Sequence, residues 1–376
     1  MTEKIARFLQ THKPATPCLV VDLDVIAETY RRLAKALPRA EIYYAIKANP
    51  APEILRLLDG LGARFDAASI YEIDDVLACG AAPPRISFGS TIKKQADIAA
   101  AYARGVRLYA FDSEAELIKL AAAAPGAQVF CRLLMSGAGA DWPLSRKFGC
   151  EVDMARDLLA RARDMGLDPC GVSFHVGSQQ TDPGQWDIAL GKTAALFSAL
   201  GAAGIELKLV NLGGGFPAQY RGAVPDLGAY AEAIMAAMAR HFGSRLPRMI
   251  VEPGRSLVGD AGIIQAEVVL ISRKTYKSER RWVYLDIGKF GGLPETMGEC
   301  IQYRLRTPRD GGPTGPVVLA GPTCDEVDVL YDKAGYELPL DLQVGDKIQV
   351  LSTGAYTASY ASVGFNGFPP LKTYFV

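Results

Sequence analysis

Histidine and paired cysteines are scarce in this chain. Its 376 residues include only three histidines, His12, His175 and His241, which nearly excludes a histidine-rich metal centre, and no metal is expected. The seven cysteines are odd in number and form no CxxC pair. They indicate free thiols in a reducing cytoplasm rather than a disulfide framework or a zinc site.

Several other signals are also missing. The 41 basic and 41 acidic residues give no net charge, and no Lys/Arg cluster suits a nucleic acid partner. No run of about 18 apolar residues suggests a membrane span, and the N-terminal MTEKIARFLQ lacks the features of a secretory signal. Neither GxGxxG nor GxxxxGK[ST] occurs, which argues against dinucleotide and nucleoside triphosphate sites.

Short β-branched and aromatic runs alternate with longer Ala-, Leu- and Arg-rich runs over the first two-thirds of the chain. This alternation predicts parallel strands joined by helical crossovers. The strand-like runs are Glu41–Ala48, Arg64–Ser69, Arg85–Ser90, Leu108–Ser113, Gln128–Leu134, Gly171–Ser178, Glu206–Leu212 and Met249–Glu252. Eight units over roughly 210 residues favour an α/β fold of the (β/α)8 TIM-like barrel type, which takes about 250, over the alternative of an open doubly wound sheet.

The pattern changes after Gly259, where strand-like runs alternate with Gly- and Pro-rich turns and helical periodicity is weak. This texture predicts a second, mostly antiparallel β domain, possessing a barrel-like sheet. We therefore predict a barrel domain over residues 20–262. Residues 1–19 together with 263–376 are predicted to form the β domain.

Reactive side chains fall at the ends of the predicted barrel strands. They follow the strand order: Lys47 near the end of the first strand, Asp66 in the second, Arg132 in the fifth, His175 late in the sixth and Glu252 at the end of the eighth. The carboxyl ends of the strands of such a barrel meet on one face, where active sites lie. We therefore expect these side chains to surround one site.

Each of these features has two explanations. A desolvated Lys47 would be a competent Schiff-base amine, but a lysine at a strand end can simply be solvated. Gly213–Gly215 could bind a phosphate through backbone N–H groups or form a plain turn. Glu252 could hold a heterocyclic nitrogen protonated while Arg255 neutralises a phosphate, or the two could form an internal ion pair. His175 could stack on a planar cofactor or be a hydrogen-bonded barrel histidine.

Six motifs in this order resemble those of the ornithine/diaminopimelate/arginine decarboxylase family. They are YAIKAN, HVGSQ, GGGFP, EPGR, GPTCDEVD and GAYTASYASVGFNGF, spread over residues 44 to 368. Members of this family are alanine-racemase-like (fold type III) enzymes that use pyridoxal 5'-phosphate (PLP). The resemblance covers essentially the whole chain and implies the same cofactor here.

The resemblance also implies a role for each matching residue. Lys47 would be the Schiff-base lysine, His175 would stack on the pyridine ring, and Glu252 would pair with the ring nitrogen. The phosphate would be held by Ser178, Gly214, Gly215, Gly254, Arg255 and Tyr356. The resemblance also places three further residues around the cofactor: Asp66, Glu72 and Arg132.

Two further residues bear on the substrate. The resemblance implies that Cys324 donates a proton to the product carbanion and that Asp325 binds the far amino group of the substrate. Asp325 would do so across the interface of a homodimer with shared active sites. Glu299 aligns with another substrate-binding carboxylate of the ornithine enzymes.

The Cys324-Asp325 pair distinguishes this chain from the diaminopimelate enzymes, which resemble it less in this segment. It implies decarboxylation of a small basic amino acid, L-ornithine to putrescine first and L-lysine to cadaverine second, as in polyamine biosynthesis. Decarboxylation of diaminopimelate or arginine is the first alternative. An amino-acid racemase and a non-catalytic PLP-binding regulatory homologue remain further alternatives.

Overall fold

The computed structural model describes residues 1–142 and 146–376, which form two compact units. The first, here called the barrel unit, comprises Ala27–Pro217 and Val224–Gly254. The second, called the β unit, comprises Met1–Ile26, Ala218–Ala223 and Arg255–Val376.

The helices and strands are numbered in chain order. The α-helices are α1 Glu3–His12, α2 Leu23–Ala36, α3 Pro52–Gly60, α4 Ile70–Ala78, α5 Gln95–Ala103, α6 Glu114–Ala123, α7 Val152–Asp164, α8 Gln185–Ala202, α9 Leu227–Phe242 and α10 Arg255–Val258. The strands are β1 Cys18–Val21, β2 Ala40–Ala45, β3 Arg64–Ala67, β4 Ile86–Phe88, β5 Leu108–Phe111, β6 Gln128–Leu133, β7 Ala140–Trp142, β8 Asp168–Phe174, β9 Ser178–Gln180, β10 Leu209–Asn211, β11 Arg248–Val251, β12 Gly262–Ser272, β13 Arg281–Leu285, β14 Leu305–Arg306, β15 Thr314–Ala320, β16 Val329–Tyr331, β17 Glu337–Pro339, β18 Lys347–Leu351 and β19 Lys372–Phe375.

Eight parallel strands close the barrel in the order β2-β3-β4-β5-β6-β8-β10-β11 and back to β2. The predicted (β/α)8 barrel is therefore confirmed, and the open sheet is excluded. Most observed strands are shorter than the sequence suggests, because the polar residues at their carboxyl ends leave the ladder. Thus β2 ends at Ala45, and Lys47 lies in the short 3-10 turn Ile46–Ala48 that follows it.

The β unit is built on a nine-stranded sheet in the order β14-β18-β12-β13-β15-β16, to which β1, β17 and β19 add laterally. Most of its pairs are antiparallel, as predicted, although β1 pairs with β19 and β13 with β15 in parallel. The long strand β12 organises the sheet, since it pairs with β1, β13 and β18.

The observed units differ from the predicted boundaries of 20–262 in three places: residues 20–26, Ala218–Ala223 and 255–262 all belong to the β unit. Val20–Ile26 belong to the β unit because β1 pairs antiparallel with β12. Arg255–Ala261 also belong to it, since the Gly354 N–H donates to the Gly259 carbonyl and the Asp22 N–H to the Ala261 carbonyl, each at 2.9 Å.

Side-chain caps explain where several helices begin. The Ser69 hydroxyl accepts from the Glu72 N–H at the start of α4, while the Glu72 carboxylate accepts from the Ala68 N–H. This reciprocal arrangement resembles a capping box and satisfies two backbone donors. Ser113 caps α6 and Asp226 caps α9, and each side chain accepts one hydrogen bond from a backbone N–H of the first turn.

Apolar side chains from the barrel strands fill a buried core. One cluster joins residues of six strands: Tyr43, Leu108, Ala110, Phe130, Cys170, Leu209 and Ile250. Within residues 1–142 and 146–376, no helix combines the length and hydrophobicity that a membrane span requires.

Close strand packing in the barrel makes Gly171 a test of the fold. A Cβ added there would lie 2.2 Å from the Leu209 carbonyl oxygen of the neighbouring strand β10. We expect Gly171→Ala to lower the free energy of unfolding by about 1–3 kcal/mol or more, because backbone cannot yield as a flexible side chain does. Thermal and denaturant unfolding would measure the change.

Gly201→Ala is the matched control. Gly201 lies inside α8, and a Cβ there meets nothing within 4 Å, so this variant should be as stable as the wild type or up to about 1 kcal/mol more stable. Equal stability of the Gly171→Ala protein would contradict the tight register between β8 and β10.

Candidate active site

Four of the predicted residues line one cavity of the barrel unit. Its volume is about 470 Å³, and the lining includes Lys47, Asp66, Arg132 and His175. Lys47 follows β2, Asp66 and Arg132 lie near the ends of β3 and β6, and His175 directly follows β8. The cavity therefore opens at the carboxyl ends of the strands, where the sequence predicts the site.

A lysine and a buried carboxylate face each other at this cavity. The Lys47 Nζ lies 3.7 Å from Asp66 Oδ2; the Lys47 side chain is about half exposed, whereas that of Asp66 is buried. Burial, followed by the nearby Glu252 carboxylate, raises the pKa of Asp66 well above its usual value, while Lys47 and Arg132 oppose the shift. Among the described residues, Asp66 Oδ1 has no hydrogen-bond partner, so a buried acceptor is left for a ligand.

His175 is held as a neutral imidazole. Burial lowers its pKa well below the usual value, with the positive charges of Arg132 and Lys47 adding to the effect. The Gly177 N–H donates to His175 Nδ1 at 3.0 Å, so the ring proton resides on Nε2. The imidazole therefore presents a flat, uncharged face with a fixed tautomer.

Glu252 follows β11 and is oriented by Asn211, the last residue of β10. The Asn211 Nδ2 donates to Glu252 Oε1, and Asn211 Oδ1 accepts from the Gly213 N–H at 3.0 Å. The Glu252 N–H in turn donates to the Gly213 carbonyl at 2.8 Å. Asn211 thus fixes both the carboxylate and the first glycine of the loop, a role that the sequence analysis missed.

The glycine loop has no room for side chains. Gly213 and Gly215 have positive φ angles of 66° and 102°, a region that favours glycine. A Cβ on Gly213 would lie 2.1 Å from the Phe174 carbonyl oxygen, and one on Gly214 would lie 2.6 Å from that of Glu252. A Cβ on Gly215 would lie 2.6 Å from the carbonyl oxygen of Gly177. Gly177 directly precedes Ser178, the first residue of β9. The loop therefore exposes backbone rather than side chains, as an anion site requires.

A buried ion network fixes another wall of the cavity. The loop that includes Gly89, Ser90 and Thr91 ends at Lys93, whose Nζ lies 3.0 Å from Glu116 Oε1 and donates to the Ser90 carbonyl at 2.7 Å. Burial lowers the pKa of Lys93 to about 8, although Glu116 opposes the shift. This network leaves no periodic signal in the sequence, because Lys93 lies on the loop after β4 and Glu116 in the first turn of α6, 23 positions away.

The β unit contains two further predicted phosphate ligands, Arg255 and Tyr356. Arg255 begins α10 and is buried; its guanidinium donates two hydrogen bonds of 2.6 Å to the Glu295 carboxylate and one of 2.8 Å to the Tyr220 hydroxyl. The Tyr356 ring lies 4.8 Å from the guanidinium carbon. Glu295, which the sequence did not single out, therefore pairs with Arg255 and fixes its plane.

The predicted substrate residues of the β unit lie on turns. Cys324 and Asp325 are exposed on the loop between β15 and β16, and the Asp325 carboxylate accepts from the Val327 N–H at 3.0 Å. The Glu299 Oε1 accepts from the Asp332 and Lys333 N–H groups at 2.9 and 2.8 Å. Glu299 thus caps a turn, and its substrate role stays a prediction.

The Asp328 carboxylate accepts several of the hydrogen bonds that hold the Cys324 loop. Asp328 is buried, and its carboxylate accepts from the Lys289 N–H at 2.8 Å and from the N–H and hydroxyl of Thr323 at 3.2 and 2.7 Å. A Cβ on Gly288 or Gly321 would lie 2.1 or 2.3 Å from this carboxylate, so both positions need glycine. These contacts connect the Cys324 loop to the segment that follows β13.

Comparison with known proteins identifies the family. Residues 23–259 match the family described as pyridoxal-dependent decarboxylase, pyridoxal binding domain. The lysine/ornithine decarboxylase of Selenomonas ruminantium is 37% identical to this chain over 98% of this chain and 91% of the relative. This chain belongs to the pyridoxal-dependent decarboxylases.

Solved structures agree with the fold. The lysine decarboxylase of Selenomonas ruminantium superposes with a TM-score of 0.89 at 35% identity and covers 100% of this chain and 96% of its own. A lysine/ornithine decarboxylase from Vibrio vulnificus, complexed with cadaverine, superposes with a TM-score of 0.88 at 31% identity. The match covers 99% of this chain and 97% of that structure. The arginine decarboxylase of Paramecium bursaria Chlorella virus superposes with a TM-score of 0.91 at 26% identity, and the match covers 100% of both chains. The predicted family, fold and cofactor are confirmed.

The barrel unit of this pyridoxal-dependent decarboxylase fits PLP on its own geometry. The Lys47 amine matches the cofactor aldehyde, and the unpartnered acceptor of Asp66 matches a polar edge of the cofactor. The neutral His175 ring matches the cofactor ring, and the glycine loop without side chains matches the phosphate. The assignment of individual contacts to these residues is a proposal and is developed below.

The neutral state of His175 predicts how stability depends on pH. The unfolded chain gains a proton on this residue near pH 6.5, whereas the folded chain does so only at much lower pH. The unfolded state therefore binds more protons below 6.5, and stability falls as pH falls. We expect His175→Gln to reduce the slope of unfolding free energy against pH by up to about 1.4 kcal/mol per pH unit between about pH 6.5 and 5.

Urea unfolding of the cofactor-free protein at several pH values would measure this slope. His12→Gln, which removes an exposed histidine of the β unit, is the control for loss of a histidine. Identical slopes for wild type and His175→Gln would mean that His175 takes up its proton normally in the folded chain.

Proposed function

We propose that this protein decarboxylates L-ornithine and L-lysine, releasing putrescine and cadaverine. The observation that carries the proposal is the meeting of Lys47, Asp66, His175 and Arg132 at one barrel cavity in a chain that is 37% identical to a lysine/ornithine decarboxylase over nearly its full length. The exposed Cys324-Asp325 pair of the β unit supplies a proton donor and a carboxylate suited to a basic substrate.

Bound PLP supplies a sink for the electrons that remain when CO2 leaves the substrate. Lys47 would supply the amine that holds the cofactor aldehyde. Its half-exposed position leaves it accessible, while the Asp66 carboxyl 3.7 Å away can take or return a proton at Nζ.

Glu252 and His175 orient the cofactor ring. The Glu252 carboxylate, fixed by Asn211, would accept from the protonated ring nitrogen, which strengthens the electron sink. His175 would stack on the ring without adding charge, because its imidazole is neutral. Arg132, at the same cavity, adds positive charge near the two carboxylates.

The phosphate is proposed to bind where backbone is bare. Ser178, Gly214 and Gly215 would donate through a hydroxyl and N–H groups. Gly254 leaves little room for a side chain, since a Cβ there would lie 3.0 Å from that of Ala48. The Arg255 guanidinium, held in plane by Glu295, and Tyr356 would complete the set.

Cys324 and Asp325 are proposed to act in the site of a second subunit. Both side chains are exposed in the single chain, so they are available to a partner. Cys324 would protonate the substrate carbon that has lost CO2, and Asp325 would pair with the distal ammonium of the substrate. We therefore propose a homodimer with shared sites and, since no disulfide joins any of the seven cysteines in the described residues, a reducing cytoplasm as its location.

Ornithine and lysine differ by one methylene, which a pocket distinguishes by only about 1–3 kcal/mol. Dual activity is therefore physically reasonable. The arginine decarboxylase with a TM-score of 0.91 has the same fold, so the fold alone does not select the substrate. Arginine and diaminopimelate remain alternative substrates, and the substrate-facing carboxylates are the residues to test.

Release of CO2 from purified, PLP-loaded protein would test the proposal directly. We expect turnover of L-ornithine and L-lysine, and little of L-arginine or meso-diaminopimelate. Lys47→Ala should abolish turnover, and Asp325→Ala should lower it because the distal ammonium loses its partner. Glu326→Gln, which removes an adjacent exposed carboxylate, is the matched control and should keep wild-type activity.

The outcomes separate the alternatives. Turnover of meso-diaminopimelate or L-arginine alone would replace the substrate assignment. Binding of PLP without loss of CO2 from any substrate would favour the racemase or the regulatory homologue.

Mixing two variants that are each impaired in diamine formation would test the shared site. If Cys324 and Lys47 act from different subunits, dimers formed between Lys47→Ala and Cys324→Ala chains contain one intact site. Random exchange should then restore about a quarter of wild-type activity, since half of the dimers are mixed. No recovery, despite exchange verified by mass spectrometry, would place both residues in one subunit's site or exclude the dimer.

A further inference from the structure

One side chain outside the predicted site contacts the exposed cysteine twice. The Cys324 N–H donates to Asn366 Oδ1 at 3.0 Å, and Asn366 Nδ2 donates to Cys324 Sγ at 3.3 Å. Both residues belong to the β unit, although 42 positions separate them. A single amide therefore binds both the backbone and the thiol of one residue.

The orientation of this amide follows from the backbone. The Cys324 N–H can only donate, so it must face the amide oxygen, which leaves the NH2 group toward sulphur. The sulphur then accepts a hydrogen bond and directs its own S–H bond elsewhere. This geometry suits a thiol that gives up a proton, because a hydrogen bond to sulphur becomes stronger once the proton has left.

The position of Asn366 is built into its segment. Its φ angle of 50° is left-handed, a conformation in which asparagine is enriched, and Gly364 and Gly367 on either side have φ angles of 76° and 75°. The Phe365 ring packs on Phe290 with centroids 4.6 Å apart. The turn is thus shaped and anchored so that the amide reaches the cysteine.

We propose that Asn366 is a positioning residue that fixes the Cys324 thiol for proton delivery to the decarboxylated substrate carbon. The inference rests on the function proposed above. In this step the S–H bond breaks and a C–H bond forms, using the electron pair left by CO2. Sulphur keeps the electron pair of its S–H bond, and solvent restores the proton afterwards.

A misplaced thiol has a measurable consequence. If the proton reaches the aldehyde carbon of the cofactor instead of the substrate carbon, the products become an amino-aldehyde and pyridoxamine 5'-phosphate instead of the diamine and PLP. This outcome balances without any added oxidant, because the amino group moves from the diamine skeleton to the cofactor. The ratio of amino-aldehyde to diamine therefore reports on Cys324 independently of total rate.

Two variants separate the two hydrogen bonds. Asn366→Gly removes both and tolerates the left-handed φ, whereas Asn366→Asp keeps the acceptor for the Cys324 N–H and removes the donor to sulphur. We expect both to raise the amino-aldehyde fraction of PLP-loaded enzyme acting on L-ornithine by roughly 3- to 10-fold, the effect of one hydrogen bond. The KM should change little, because the proposal has Asn366 act through Cys324 and gives it no contact with the substrate.

A double-variant cycle completes the experiment. In a Cys324→Ala background, the Asn366 substitutions should have no further effect on the product ratio if they act only through the thiol. Wild-type partitioning by Asn366→Asp would mean that only the backbone bond matters, and additive effects in the cycle would place Asn366 outside the thiol's action. Either result overturns the inference. If the wild type forms no diamine at all, the proposed function fails instead.

Discussion

Pairing between the first and last barrel strands is the constraint on which the site depends. Strand β11 runs parallel to β2 with Val251 opposite Ile42, and just beyond them the Ala45 N–H donates to the Pro253 carbonyl at 3.0 Å. Lys47 and Glu252 lie just past this seam, 205 residues apart in the chain. In an open sheet with strands in sequence order they would stand at opposite edges, and no single ligand could meet both.

Close backbone approach is the second constraint. The glycine loop after β10 lies so near the chain after β8 that a methyl group at Gly213 would meet the Phe174 carbonyl oxygen. Gly89 is placed similarly, since a Cβ there would lie 1.9 Å from Asp66 Oδ1. Gly89 lines the cavity beside the buried Asp66 carboxylate, and the Gly213–Gly215 loop has no side chains to separate its backbone from a ligand. The space that a cofactor needs is thus created by the absence of Cβ atoms rather than by a gap in packing.

The sequence predicted the barrel and most of its site because both depend on local periodicity and order. The eight strand-like runs and the residues at their ends follow directly from alternating patterns. The residues that orient the site were missed for a different reason. Asn211, Glu295 and Asn366 act through side-chain contacts across 40 or more positions, and such contacts leave no periodic signal.

Strand ends illustrate the same limit. A run such as Glu41–Ala48 reads as one strand, yet the ladder stops at Ala45 and the next three residues turn, which points Lys47 into the cavity. For Glu299, alignment suggests a substrate ligand, whereas two backbone N–H groups hold its carboxylate in a turn. Sequence order locates a functional residue, but its hydrogen-bond partners decide what it is free to do.

Two carboxyl groups, those of Asp66 and Glu252, interact with each other and with positive charges at the carboxyl ends of the barrel strands. Burial, followed by the neighbouring Glu252 carboxylate, raises the pKa of Asp66 well above its usual value. Glu252 meanwhile accepts from Asn211 and stays available as an acceptor. The buried Asp66 carboxyl, with its raised pKa, and the Glu252 carboxylate bound by Asn211 therefore lie in different environments. That pairing, next to a lysine amine and a neutral imidazole, is what proton transfer around a bound cofactor requires.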